Sequence, residues 1–209
     1  MEIINLNTIA LLIVTLFIAP GLRLDAQEAA TKNGFIFELE SFSRQPEKPF
    51  LFLGIRMDPD HPRWGEFSES IDKFPSAQNC LNPPHDSGSN WNVLDINWKS
   101  LKSNRDIEVC LFRIFDTLND PLLVFSWLEH QGYRLSNSWT SEGGLLGVPP
   151  QLVPSLYREA YIDRDAFERK VDLNHFDSPL KVRAKDYRIQ ISFSKTNRLV
   201  FVFSGQQGS

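Results

Sequence analysis

Two carboxylates and an imidazole fall within four residues at Asp58-Pro59-Asp60-His61, directly after an apolar run. Hard oxygen donors beside an imidazole nitrogen are what a divalent metal or an acid–base pair requires. With a metal bound, Asp58, Asp60 and His61 would be its ligands, and a coordinated water would be the nucleophile of a small metal-assisted hydrolase. The same stretch, continued by Pro62, also makes an ordinary polar turn, because proline fixes φ and aspartate bonds nearby backbone N–H groups. Two further constellations, Asn82-Pro83-Pro84-His85-Asp86 and Asp172-Leu173-Asn174-His175-Phe176-Asp177, each hold a histidine among polar side chains. Nothing in the sequence brings His61, His85 and His175 together. His130 falls one turn inside the end of an expected helix, where an imidazole meets the terminal carbonyls.

The glycine loops that cradle nucleotide phosphates, the G-x-S-x-G elbow, H-E-x-x-H, C-x-x-C and the EF-hand loop do not occur in the chain. That excludes nucleotide binding through a glycine loop and a common serine-hydrolase elbow. A net charge of −4 argues against nucleic acid as the main partner, since phosphate binding needs a cationic face. Aromatic faces are plentiful, with five tryptophans and sixteen phenylalanines, and such faces stack on sugars or fill interface hot spots. Trp64 lies in a long polar segment, while Tyr133 and Trp139 alternate on an expected half-exposed strand, which makes these three the candidate ligand contacts. The other tryptophans fall on the faces of expected elements, where core packing accounts for them. The favoured reading is therefore a non-catalytic binding or assembly module for a protein or carbohydrate ligand, needing no cofactor. The hydrolase at Asp58, Asp60 and His61, with its divalent metal, is the competing reading.

The elements that must position these residues begin after residue 26. The run 9–19 is apolar apart from Thr15 and is followed by Pro20-Gly21. Eleven residues of helix span about 16 Å, half of a bilayer's roughly 30 Å hydrocarbon core, so the run suits the short apolar region of a signal peptide. Cleavage falls best after Ala26, although the stretch before the run carries Glu2 and no Lys or Arg. Uncleaved, residues 1–26 would instead anchor an accessory subunit to a membrane, which is the only membrane contact the sequence supports. The mature protein is expected in a secreted or periplasmic setting, with a flexible leader over 27–34, one α+β domain over 35–204 and a frayed tail over 205–209. The even pair Cys80 and Cys110 fits a disulfide there.

Within that domain Phe35, Phe37 and Leu39 alternate with Glu38 and Glu40 as in a strand, and the apolar run 50–57 reads as a central strand able to pair with it. Residues 58–90 hold five of the thirteen prolines and read as a long irregular excursion with one short helical turn near 67–74, a natural place for a surface site. Residues 91–98 suit a strand. Asn104 stands in N-cap position before a helical pattern to Leu118; Asp120-Pro121 opens a second helix, and Gly132 closes it. Residues 153–166 suit a partly helical segment, and 182–203 an antiparallel hairpin turning at Lys195-Thr196-Asn197. The sum is a mainly antiparallel sheet built from 35–57, 133–139 and 182–203, with helices at about 105–131 packed on one face. Protein recovered after export should lack its first 26 residues, and an intact mass that retains Met1 in a membrane fraction would replace cleavage by anchoring.

Overall fold

The computed structural model describes residues 36–37, 49–85, 90–136, 156–171, 184–194 and 199–208. The expected signal segment, the leader and Trp139 lie outside them. In chain order the elements are β1 (Ile36–Phe37), β2 (Leu51–Phe52), β3 (Ile55–Arg56), α1 (Trp64–Lys73), β4 (Trp91–Asn92), α2 (Asn104–Leu118) and α3 (Pro121–His130). They continue with β5 (Arg134–Leu135), β6 (Leu156–Asp163), α4 (Arg164–Lys170), β7 (Ala184–Phe193) and β8 (Leu199–Gly208). The architecture is α+β, with antiparallel sheets.

The main sheet has the order β5-β6-β7-β8, every neighbour antiparallel. Its register sets Ala160 opposite Ile189 and Ile191 opposite Val202. Ala160, Ile162, Tyr187, Ile189, Ile191, Phe193 and Val202 are buried, whereas Tyr157, Glu159, Tyr161, Arg188 and Gln190 between them are half-buried. This is the period-two signature of a sheet with one face on the core. Three helices meet that inner face. Tyr187 donates its hydroxyl to Asn104 Oδ1 at the start of α2 (2.9 Å), Phe125 of α3 meets Phe193 edge-on, and Phe167 of α4 stacks on Tyr187 at 3.8 Å.

Local chemistry sets the helix ends. The Ser103 side chain accepts from the Asp106 N–H and so caps α2, one residue before the expected Asn104. Asp120 caps α3 through the Leu122 N–H with Pro121 at the first helical position, and Gly132 takes φ +85° just past its end, both as expected. The C-terminal hairpin is also present, but β8 does not fray at residue 205. It pairs on through Gly205 opposite Arg188 and Gln207 opposite Asp186 to Gly208 opposite Ala184, because a ten-residue partner is there to satisfy its backbone.

Elsewhere the short elements depart from the expectation. The run 50–57 is no central strand; it folds on itself, Leu51 opposite Arg56 and Phe52 opposite Ile55, around Leu53 and Gly54 at φ 52° and 75°. Positive φ at both turn positions matches the right-handed twist of a tight hairpin. A leucine there costs about 1–2 kcal/mol, and Leu53 packs against the core. β1 therefore pairs with β4 instead, Phe37 opposite Trp91, and the described residues of 35–57 contribute no strand to the main sheet. The segment 58–90 holds a ten-residue helix, α1, and a 3-10 turn at Ala77–Cys80, with Phe67, Phe74, Ala77, Cys80 and Leu81 buried. Of the segment 153–166 expected to be partly helical, 156–163 are strand, since Ala160 and Ile162 alternate with three polar-tipped side chains, and helix begins only at Arg164. No helix among the described residues is long and apolar enough to cross a membrane.

Helix α2 is the centre of the packing. Every residue from Asp106 to Phe115 is buried, among them two carboxylates and an arginine. Asp106 accepts from Ser70 Oγ (2.7 Å) and Lys73 Nζ (2.7 Å) of α1 and from the Lys102 N–H (2.8 Å). Glu108 accepts from the Ser204 N–H (3.0 Å) of β8 and from Arg105 (2.7 Å), which continues to Glu66 (2.7 Å) and so to Arg63. The Arg63 guanidinium hydrogen-bonded to Glu66 holds that carboxyl at about 2, while burial pushes the Glu108 carboxyl up despite its donors.

The two shifts act in opposite directions on stability. Glu66 stabilises the fold above its unfolded pKa and loses that contribution as pH falls toward about 2. Glu108 contributes most below its unfolded pKa of about 4.3, and the contribution is lost as pH rises through its elevated folded value. Glu108→Gln should therefore flatten the decline in stability on the alkaline side of about pH 4.3, measured as urea midpoints from pH 4 to 8. Parallel pH dependences in the two proteins would show that Glu108 titrates as an ordinary carboxyl.

Candidate functional site

The Cys80–Cys110 disulfide forms as the even cysteine count suggested, with Cα atoms 5.6 Å apart, and it ties the end of the 3-10 turn to the middle of α2. An internal disulfide is compatible with an oxidising, exported compartment. From that anchor the chain runs beside the β4 region. Leu81 bridges to Ile96, the Asn97 N–H donates to the Cys80 carbonyl (2.9 Å), and the Asn82 N–H donates to the Asp95 carbonyl (2.9 Å).

The expected strand over 91–98 is interrupted between these contacts. The Leu94 N–H donates to Asn92 Oδ1 (2.9 Å) and the Asp95 N–H to the Asn92 carbonyl (3.0 Å), which closes a turn. Helix α3 and its end hold that turn from below. Trp127 Nε1 donates to the Val93 carbonyl (2.8 Å) and Gln131 Nε2 to the Leu94 carbonyl (2.7 Å). The two strips, 82–85 and 90–95, face each other across a half-open cleft of about 340 Å³ lined by Asn82, Pro83, Pro84, His85, Asn90, Asn92 and Asp95.

Its floor is preorganised. Asn82 Nδ2 donates to Asp95 Oδ1 (2.7 Å) and reaches the Ile96 carbonyl (3.4 Å), so the amide and the carboxylate lock one another. The Asn82 amide oxygen, the second Asp95 oxygen, the Asn90 amide and the His85 imidazole make no hydrogen bond among the described residues. His85, Asn90 and Asp95 are exposed. Planar amide and carboxylate groups offering acceptors and donors side by side, with an imidazole and two prolines as walls, suit a small polar ligand rich in hydroxyls.

The other sequence candidates are placed apart from this cleft. At 58–61 the Asp60 N–H donates to Asp58 Oδ1 (3.2 Å), and His61 Nδ1 accepts from the Arg63 N–H (3.1 Å) at the start of α1 while its ring stands edge-on to Phe52. The turn thus spends one oxygen and one imidazole nitrogen on its own backbone. Among the described residues no three His, Cys, Asp or Glu side chains converge as a metal would require. Trp64 opens α1 and packs half-buried against the core. Tyr133 is 3% exposed, with burial raising its hydroxyl far above the usual phenol range. Trp139 and the 172–177 constellation lie outside the described residues. His130 is exposed at the end of α3, and His85 lines the cleft, whereas His61 stands apart from it.

Asn90, Asn92 and Asp95 did not stand out in the sequence because 91–98 alternates well enough to pass for a strand. The signal present was the Asn92-to-Asp95 spacing, two turn formers three residues apart. No family model matches the chain, and neither the curated proteins nor the solved structures provide a match.

Because the disulfide closes a span of 30 residues that includes both walls of the cleft, chain-entropy arithmetic gives it about 3.5 kcal/mol. Replacing both Cys80 and Cys110 by alanine should lower unfolding stability by about that amount in denaturant titration. A loss below about 1 kcal/mol would mean that the fold holds the span without the bond.

Proposed function

We propose that the protein is an exported, non-catalytic binding module whose cleft at 82–95 takes a small polyhydroxylated ligand of the carbohydrate class. The observation that carries this reading is the locked Asn82–Asp95 pair, which leaves an amide oxygen and a carboxylate oxygen without a hydrogen bond among the described residues at an open cleft. Acceptors fixed by their own neighbours can take ligand hydroxyls with little ordering cost, and that preorganisation is what a weakly hydrophobic ligand needs. His85 and Asn90 add donors at the rim, and the Pro83 and Pro84 rings offer C–H surface to a sugar face. Export is supported by the apolar run 9–19 and by the disulfide.

The reading is tested by titrating labelled protein with a panel of neutral mono- and disaccharides and following amide shifts. Saturable shifts confined to residues 82–85 and 90–95 are expected for at least one sugar, and Asp95→Ala should weaken that binding about tenfold, the worth of roughly 1.4 kcal/mol. Shifts scattered over the surface, or none at tens of millimolar sugar, would remove carbohydrate as the ligand class. Turnover of an ester or phosphoester substrate that stops with a chelator would instead favour the hydrolase.

A further inference from the structure

The cleft at 82–95 is one-sided in charge and in hydrogen-bonding capacity, and both bear on which sugar it takes. Of its seven lining residues Asp95 is the only one with a fixed charge, and neither lysine nor arginine is among them. The sequence that supplies both walls has the same bias: from Phe74 to Trp98 the chain holds Asp86 and Asp95 and no Lys or Arg. A carboxylate at a concave surface whose walls carry no fixed positive charge draws cations toward it.

The donors of the floor are spent inside the protein. Asn82 Nδ2 gives its protons to Asp95 Oδ1 (2.7 Å) and the Ile96 carbonyl (3.4 Å), which leaves Asn82 its amide oxygen. An ionised Asp95 can only accept, and its Oδ1 is already taken by that amide. What this pair holds in reserve is therefore acceptor capacity with a negative charge. Asn92 is the opposite case, because its Oδ1 accepts from the Leu94 N–H (2.9 Å) and its amide protons remain for a hydroxyl oxygen. A hydroxyl brings one proton to the acceptors, whereas an ammonium brings three together with the complementary charge.

We propose that the cleft selects amino sugars, taking the protonated amine of a hexosamine on Asp95 and the Asn82 amide oxygen, and the ring hydroxyls on Asn90, Asn92 and His85. The selection rests on the cleft being a carbohydrate site, and adds the charge of the ligand to it. Acetylation of the amine removes the charge and leaves a single N–H, so the site distinguishes the free from the acetylated sugar. Neutral sugars keep only the hydroxyl contacts, and the preference is the difference between the two sets.

The test titrates the folded, full-length protein at mildly acidic pH and low salt with glucosamine, N-acetylglucosamine, glucose and ethylamine, reading affinities from the amide shifts of 82–85 and 90–95. Glucosamine should bind at least about threefold tighter than either neutral sugar, the scale of an exposed ion pair, and added salt should shrink that advantage by screening. Asp95→Asn, which keeps an acceptor for Asn82 Nδ2 and removes the charge, should abolish the preference. Equal cleft affinities for glucosamine and glucose would overturn the amino-sugar selection and leave the carbohydrate site standing. Ethylamine binding as tightly as glucosamine would overturn both, because the hydroxyls would then contribute nothing, and so would the absence of cleft shifts with every sugar. A preference that survives in folded Asp95→Asn would overturn the assignment of the amine to Asp95.

Discussion

A helix sunk so far into a core that ten consecutive residues lose contact with water cannot carry unpaired carboxylates. Leaving one charge there without partners would cost several kcal/mol. Asp106 and Glu108 sit in that stretch of α2, and the surroundings are arranged around satisfying them. Asp106 fixes α1 through Ser70 and Lys73; Glu108 fixes β8 through Ser204; Arg105 carries the charge of Glu108 outward to Glu66 and Arg63. The aromatic packing follows the same frame, with Phe50 in contact with both Phe67 of α1 and Phe112 of α2, and Arg63 and Arg105 laid over the Phe52 and Phe67 rings. Apolar burial supplies the driving force, and the two acids decide which helix meets which strand.

What could be read from residue order follows the range of the forces involved. Local chemistry was legible: Asp120-Pro121 and Gly132 bracket α3 because capping and backbone conformation are settled within a few residues. The β7–β8 hairpin was legible for the same reason, its arms being neighbours in the chain. Pairings decided at long range were not. Phe37 opposite Trp91 could not be foreseen once Leu53-Gly54 was read as strand interior, since only the assembled core makes a left-handed leucine tolerable. The burial of Asp106 and Glu108 against α1 and β8 depends on residues more than thirty positions away. Proline density made α1 read as one short helical turn near 67–74 rather than ten residues of helix, although the prolines flank the helix rather than enter it.

The cleft illustrates the division at the level of single residues. Asn82 and His85 were visible as a polar cluster in a proline-rich segment, the kind of surface where ligands bind. Their counterparts Asn90, Asn92 and Asp95 became partners only through the Leu81–Ile96 bridge, which in turn rests on the bond between Cys80 and Cys110. A covalent link in the core thus sets the spacing of side chains at the surface. The aromatic residues singled out in the sequence went the other way: Trp64 and Tyr133 are drawn against or into the core, where their area is worth more than at an exposed site.

The Ser204–Glu108 contact carries a consequence for the molecule in company. Among the described residues β8 is the outermost strand of the main sheet, ten residues long and rich in valine and phenylalanine over its first half. Such an edge is a template on which another chain can lay a strand. The Ser204 N–H bonds Glu108, not β7, so it belongs to the outward row of that edge, and the carboxylate fills the position a foreign carbonyl would take. At that position a side chain of the protein's own helix stands where the carbonyl of a further strand would. The edge is satisfied at that one position from inside the fold, by an acid that also orders the core.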